Sequence, residues 1–395
     1  VDIPRTYIDV HILQTVPPSN LNRDDAGSPK QAVYGGARRA RVSSQAWKRA
    51  TRLAFRQQPG ISAGQLGTRT KRVSGLLAGR IAERTGLDGE AAARLGNALL
   101  AHELNIKAGK KAEESAYLLF FGISQLDAIV DLISDRAAEL AALADDALTK
   151  AVSDLPVRQQ LTSGHPIDVA LFGRMVADIP SLNVDAATQV AHAISVHPAE
   201  IEFDYYTAVD DEKTAEEDAG AAMIGTVEFT SATLYRYATL GVHQLAANLG
   251  NDLDATIEAA RAFLRALVVS MPTGHQNTFA HHTLPNLVSF VVREDQPINL
   301  VSAYEKPVRS KDGILGQAAL RLAAELQNGS KAWGFTPRAV TSVYDPAVAT
   351  NGGYDSDETK NAALLAEAFG SPRRFDESID LTVAAIRDRL QERDA

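Results

Sequence analysis

Gly35-Gly36-Ala37-Arg38-Arg39-Ala40-Arg41-Val42-Ser43-Ser44-Gln45-Ala46-Trp47-Lys48-Arg49-Ala50 is the stretch on which the reading of this chain turns. The paired glycines suit a turn that lets the backbone approach a ligand closely. A short basic extended piece, 38–42, follows, and Arg38, Arg39 and Arg41 offer planar forks for phosphate oxygens. Ser43 or Ser44 then predicts the N-cap of a helix running to about Gln57. Such a helix start presents free N–H groups and a positive dipole end to an anion, with Gln45, Lys48 and Arg49 in its first turns. Lys48, Arg52 and Arg56 repeat at i, i+4 and i+8, and Trp47, Ala50, Leu53 and Ala54 are expected on the packed side. The stretch predicts a surface that grips a phosphate backbone without reading bases.

Working outward, the charge pattern supports an anion-binding face. The net charge is −9, yet residues 26–82 hold twelve Lys/Arg and no acidic residue, leaving 28 basic and 49 acidic residues for the rest. Segregation of this kind marks a basic face on an otherwise acidic body. At 395 residues, with 45% hydrophobic content, the chain is expected to form two compact units or one domain with large insertions, with a sizeable core. It has no cysteine, which excludes disulfides, thiolate zinc sites and a cysteine nucleophile. The N-terminal residues lack an apolar signal region and no run approaches a membrane span, so a cytoplasmic protein with no membrane partner is expected.

Alternation over 7–15 predicts a half-buried strand, stopped by Pro17-Pro18 and followed by a polar loop. From about Gly60 to Leu161 Ala/Leu-rich helical spacing predicts a helical insertion, with helices at Gly89–Ala101, Glu114–Phe121 and Leu126–Ala151. Extended runs at Glu200–Val209 and Ala221–Thr230 flank an acidic link and predict a long β-hairpin. Helices are expected at Leu234–Leu249, Leu253–Val269, Leu315–Gln327, Glu358–Phe369 and Leu381–Glu392, and a buried strand at Leu287–Val292. This succession fits a small antiparallel sheet covered by helices, an α+β class.

The searches for chemistry return little. No phosphate loop, dinucleotide fingerprint or nucleophile elbow is present, so no cofactor and no catalytic residue is assigned. His275, His281 and His282 lie close together, but without a carboxylate at a ligand spacing they are read as loop and packing residues, not metal ligands. His192 and His197 are five apart, a poor fit to one helical face. Asp24-Asp25, beside Arg23, could hold a divalent ion near a phosphate as a nuclease requires, or cap turns or pair with neighbouring arginines. A metal-dependent ribonuclease using Asp24 or Asp25 is therefore the alternative reading.

Several collinear runs resemble the CasC family, the backbone subunit of the type I-E CRISPR surveillance complex, Cascade. They are Leu21-Asn22-Arg23-Asp24-Asp25, Gly35 through Arg49, Ala170-Leu171-Phe172-Gly173-Arg174-Met175 and Thr207-Ala208-Val209-Asp210-Asp211. Gly225-Thr226, Glu228-Phe229, Tyr235-Arg236-Tyr237-Ala238, and Glu305-Lys306 leading to Lys311-Asp312-Gly313, add to them. The likeness spans most of the chain and weakens in the insertion and beyond about Gly334.

The resemblance implies an RRM-like (ferredoxin-like) palm over 1–58, 181–196 and 232–395, helical fingers over 59–180 and a β-hairpin thumb over 197–231. It implies copies stacked head to tail on a CRISPR RNA beside other Cascade subunits, with the guide exposed for pairing to target DNA. It places Arg23, Lys30, Arg38, Arg39, Arg41, Ser44, Gln45, Lys48, Arg49 and Arg52 along the RNA path. Met175 becomes a wedge near displaced bases, and Gly274, His275 and Gln276 belong to a glycine-containing loop beside the RNA. Members of the type I-E family are not nucleases, whereas type III relatives cleave RNA from a comparable loop aspartate. Two departures stand out: Ala37 falls where relatives can carry a cation, and no strand carries the aromatic signature of ordinary RRM proteins. RNA is therefore expected along the basic loop and helix, not across the sheet.

Overall fold

The computed structural model describes residues 3–104, 115, 118–177, 179–208, 223–311, 313–349 and 358–392. The chain is mixed α+β and divides into two compact units. One comprises Pro4–Ala54, Gln189–Leu240 and Ala260–Ala395, the other chiefly Phe55–Thr188 and Gly241–Ala259.

The first unit is built on strands β1 (Tyr7–Ser19), β2 (Gln31–Tyr34) and β3 (Ala37–Val42). Helix α1 (Ser44–Ala54) follows them. The second unit contributes a separate pair, β4 (Gly67–Thr70) and β5 (Leu119–Gly122). The main sheet is completed by β6 (Thr188–Val190), β7 (Ala193–Ser195), β8 (Glu202–Ala208), β9 (Met223–Gly241), β10 (Leu287–Arg293) and β11 (Ala339–Tyr344). Its order is β11-β10-β1-β9-β7-β3-β2, with β6 and β8 joined to β9 off this path. β1 runs antiparallel to β10, from Tyr7 opposite Arg293 to Leu13 opposite Leu287.

β1 is not half-buried as its alternation suggests. Between β10 and β9 it is covered on both faces, so Asp9, His11 and Gln14 are as buried as Ile8, Val10 and Ile12. Burial of three polar side chains requires partners. Asp9 pairs with Arg293 at 3.0 Å and accepts from the Tyr237 hydroxyl at 2.8 Å. His11 Nδ1 lies 2.9 Å from the Tyr235 hydroxyl. Arg236 donates to Gln14 Oε1 at 2.7 Å and lies over the Trp47 ring, 3.7 Å from its centroid. Pro17 and Pro18 do not stop the strand, because they lie beyond the Tyr7–Leu13 stretch that pairs with β10.

Apolar packing is organised on the sheet. Leu13, Leu287, Val291 and Tyr235 meet Leu322, Leu326 and Phe369 from helices Leu315–Trp333 and Glu358–Phe369. Val16, Val42, Trp47, Leu234 and Met271 form a second cluster, which roots α1. Helix Phe375–Gln391 begins earlier than expected, and β11 was not foreseen at all.

The β8–β9 hairpin pairs Glu202 with Phe229 through Ala208 with Met223. Every residue of β8 is exposed, including Phe203, Tyr205 and Tyr206. The acidic link expected at its tip lies outside the described residues. Leu234–Gly241, expected to open a helix, continues β9 instead, since its aromatic and β-branched residues sit between two neighbouring strands. The helix there is only Val242–Asn248.

In the second unit Val73, Leu77 and Ile81 line one face of helix Val73–Thr85. They pack with Leu95, Leu99, Leu126, Ile129 and Phe121. Gly86 closes that helix in the left-handed region, with φ 74°. Leu119–Phe121, expected in a helix, instead forms β5 against β4, with Gly67 opposite Gly122. The 126–151 segment is broken into Ile123–Asp131, a short turn, Ala137–Ala141 and Asp145–Val152. Among the described residues no helix is long and apolar enough to cross a membrane.

Candidate nucleic-acid interface

The diglycine is a two-residue hairpin turn joining β2 to β3. Tyr34 faces Ala37, and Gly35 and Gly36 have φ of 56° and 72°. Two positive φ values in sequence match the tight turn that suits a twisted hairpin. The close approach expected of these glycines is made to this chain rather than to a ligand. A Cβ on Gly35 would lie 1.6 Å from the Glu305 carbonyl oxygen.

Arg39 is the main correction to the expected cation row. It is fully buried and lies on no accessible phosphate path. Its guanidinium donates to the carbonyls of Ser195 at 2.9 Å, Tyr304 at 2.8 Å, and Tyr34 and Glu305 at 3.3 Å. It therefore staples the β2–β3 hairpin to β7 and to the 304–305 turn.

The remaining cations are accessible to different degrees. Arg23, Arg38, Gln45 and Arg49 are exposed, whereas Lys30, Arg41, Ser44, Lys48 and Arg52 are half-buried. Arg38 donates to Gln31 Oε1 at 3.2 Å and Arg41 to the Gln31 carbonyl at 3.1 Å. Backbone bonds from Lys30 to Asn22 and from Arg41 to Lys30 lace the 20–30 loop along the end of β3. On α1 the buried side is Trp47 and Thr51; Leu53, expected there, is exposed on the ridge with Gln45 and Arg49. Burial holds the Lys48 ammonium below its ordinary pKa. Arg52 is already engaged within the protein.

Ser43 rather than Ser44 caps α1. Its Oγ accepts from the Ala46 N–H at 3.3 Å, and its own N–H donates to Asn22 Oδ1 at 2.8 Å. The Ser44 N–H donates to His192 Nδ1 at 3.1 Å, so the helix start is partly satisfied from inside and is less open to an anion than expected. Burial, then the nearby Arg41 and Lys30, hold His192 below its ordinary pKa. A neutral imidazole can accept the Ser44 N–H. Sequence reasoning set His192 aside. Only the β7 pairing that brings it beside β3, 148 residues from Ser44, gives it this role.

The glycine-containing loop lies beside Arg23. A Cβ on Gly274 would lie 2.4 Å from the Leu21 carbonyl oxygen, so only glycine lets the loop seat against residues 20–21. His275, with φ 49°, places Nε2 2.7 Å from Arg23 Nη1, and Gln276 is exposed. His281 is buried, with Nε2 3.0 Å from the Pro272 carbonyl, a packing role. Asp24 Oδ1 accepts from the N–H groups of Ala26 at 2.9 Å and Ser28 at 3.0 Å. That is the turn-capping use of the side chain. Among the described residues no group of three or more acidic or histidine side chains is arranged for a metal ion.

Met175 belongs to the second unit. It is 84% exposed and takes no part in the core. It is presented by rigid neighbours. Gly173 has φ 73° and ψ 174°, a conformation open essentially to glycine alone. Arg174 is buried and donates to the carbonyls of Leu182 at 2.6 Å, Leu161 at 2.7 Å and Phe120 at 3.2 Å.

The basic surface lacks carboxylate counter-charge. Several arginines elsewhere are paired: Arg80 with Asp127, Arg84 with Asp131, Arg261 with Asp380 and Arg338 with Glu294. Among the described residues, Arg23, Lys30, Arg38, Arg41, Lys48 and Arg49 form no ion pair with a carboxylate.

Residues 8–369 match the CT1975-like protein family. The chain belongs to that family. This CT1975-like chain is also 34% identical to a solved chain of a CRISPR RNA-guided surveillance complex, pre-nicking, with a TM-score of 0.70 over 92% of this chain and 100% of that one. A chain of another CRISPR RNA-guided surveillance complex is 29% identical, with a TM-score of 0.66 over 96% of this chain and 99% of that one. No curated protein sequence matches the CT1975-like chain.

Proposed function

We propose that the chain is a non-enzymatic, crRNA-binding backbone subunit of a CRISPR surveillance complex of the type I-E Cascade kind, acting in the cytoplasm in antiviral defence. In this reading its sheet-centred unit is the RRM-like palm, the β8–β9 hairpin the thumb and the helical insertion the fingers. Copies stack head to tail along the guide, holding it for pairing with target DNA beside other subunits. The observation that carries the reading is the set of six cations without carboxylate partners on the 23–49 surface of an acidic chain. Unpaired cations repel one another, and a polyanion relieves that repulsion. Likeness over nearly the full length of two chains from RNA-guided complexes supports the same ligand.

The test is anisotropy of a labelled single-stranded guide RNA titrated with the intact protein across salt. Lys48→Ala and Arg49→Ala should each flatten the log K against log salt slope by roughly 0.7. Native mass spectrometry should show copies of the chain multiplying with RNA length, since a head-to-tail contact does not close on itself. Unchanged slopes in both variants, or a fixed stoichiometry on longer RNA, would overturn the proposal.

A further inference from the structure

A second cationic cluster lies outside the surface just described. The loop after Glu305 and the helix Leu315–Trp333 form, with the β2–β3 turn, a cleft of about 660 Å³ lined by Gly35, Gly36, Ala37, Lys306, Arg309 and Arg321. No carboxylate lines it among the described residues. The cleft is built rather than incidental. Gly35 seats directly on the Glu305 backbone, and the buried Arg39 ties the hairpin to Tyr304 and Glu305. Arg321 donates to the Lys306 carbonyl and so fixes the loop that carries Lys306 and Arg309. Both of those side chains are exposed, and among the described residues neither has a carboxylate partner.

The charges there are felt at a distance. Arg309 and Arg321 both act to lower the Arg39 pKa, after burial itself, while Glu305 opposes them. Glu325, which accepts from the Ser302 hydroxyl at 2.6 Å, adds a second negative charge nearby. Lys306, Arg309 and Arg321 outnumber Glu305 and Glu325, and the cluster borders Ala37, the residue next to Arg38 on β3.

We infer that Lys306, Arg309 and Arg321 hold phosphodiester groups of the strand that Arg38 grips, carrying its track past the Gly35-Gly36 turn. This rests on the reading of the basic surface as a nucleic-acid track. β2 is the last strand of the sheet, so a backbone gripped at Arg38 can pass round the Gly35-Gly36 turn at the sheet's edge to reach the cleft. Ammonium and guanidinium groups around a glycine turn suit phosphate oxygens by charge and leave bases unread.

The test compares the intact protein with Lys306→Ala/Arg309→Ala and with Arg309→Glu, using the labelled single-stranded RNA and the same RNA annealed to complementary DNA. Arg136→Ala, at an exposed cation already paired with Glu139, serves as the control. Both lost side chains are exposed, so thermal melting should be unchanged. The double variant should flatten the salt slope on single-stranded RNA by roughly 1.4, two contacts at about 0.7 each. The control should not move it. A slope equal to the unaltered protein's overturns the inference, as does a loss confined to the RNA–DNA hybrid. If Lys48→Ala and Arg49→Ala still flatten the slope in that case, the proposed function stands and only the second cluster falls.

Discussion

Arg39 Nη2 donates to the Tyr304 carbonyl at 2.8 Å, across 265 residues of sequence. The residue at the centre of the most basic stretch thus acts as an internal staple. Arg39→Ala is expected to leave four carbonyls short of a donor and to cost about 3 kcal/mol or more of stability. Arg39→Lys should recover only part of this, since one ammonium cannot reach every acceptor of a planar fork. Urea unfolding of the two variants checks it; equal midpoints with the unaltered protein would refute the staple.

Acid should loosen the sheet-centred unit through His11. Burial lowers its pKa from 6.5 to about 3, so the unfolded chain binds a proton that the folded chain refuses. Stability from this group is complete above about pH 6.5 and is lost as pH falls toward 3. One such group implies a loss of roughly 2 kcal/mol between pH 6.5 and about pH 5. His11→Gln should flatten that dependence, read from urea midpoints at the two pH values.

Asp24 separates the turn from the nuclease. Asp24→Asn keeps an oxygen for the Ala26 and Ser28 N–H groups, whereas Asp24→Ala removes it. The alanine variant is expected to lose about 1 kcal/mol, with the asparagine variant close to the unaltered protein. RNA incubated with any of the three and Mg²⁺ or Mn²⁺ should stay intact. Metal-dependent cleavage that both substitutions abolish would establish the enzymatic alternative.

Met175 and Gly173 should respond in opposite ways. Trimming the exposed Met175 to alanine should leave stability within about 0.5 kcal/mol. Gly173→Ala should cost about 2 kcal/mol or more, because its Cβ would lie 2.6 Å from the Val184 carbonyl oxygen in a backbone conformation reserved for glycine. If Met175 wedges between bases, Met175→Ala should weaken guide binding without altering the salt slope.

Much of this was legible in the sequence for a physical reason. The diglycine turn and the serine cap are local signals, and each appears as a local structure in the region expected. The strand expected at Leu287–Val292 was equally plain, because a strand buried on both faces shows as a nearly continuous apolar run. Long-range pairing was not legible. Arg39 reads as a surface cation until Ser195 and Tyr304 are brought beside it, and Leu234–Gly241 reads as helix until β9 is seen between two strands. Asp9 and His11 show the same limit. Polar residues at alternate positions suggest a wet face, and only Arg293, Tyr235 and Tyr237, all distant in sequence, make a dry one affordable.

The bare flank of β8 has a calorimetric consequence. Phe203, Tyr205 and Tyr206 stay 68%, 63% and 41% exposed when the chain folds, so that part of their apolar area adds nothing to the heat capacity change of unfolding a single copy. Any event that covers them must draw that area out of water afterwards, and should register as a negative heat capacity change of association. The melting curve of the isolated chain and the titration of its assembly would then report on two separate pools of apolar surface.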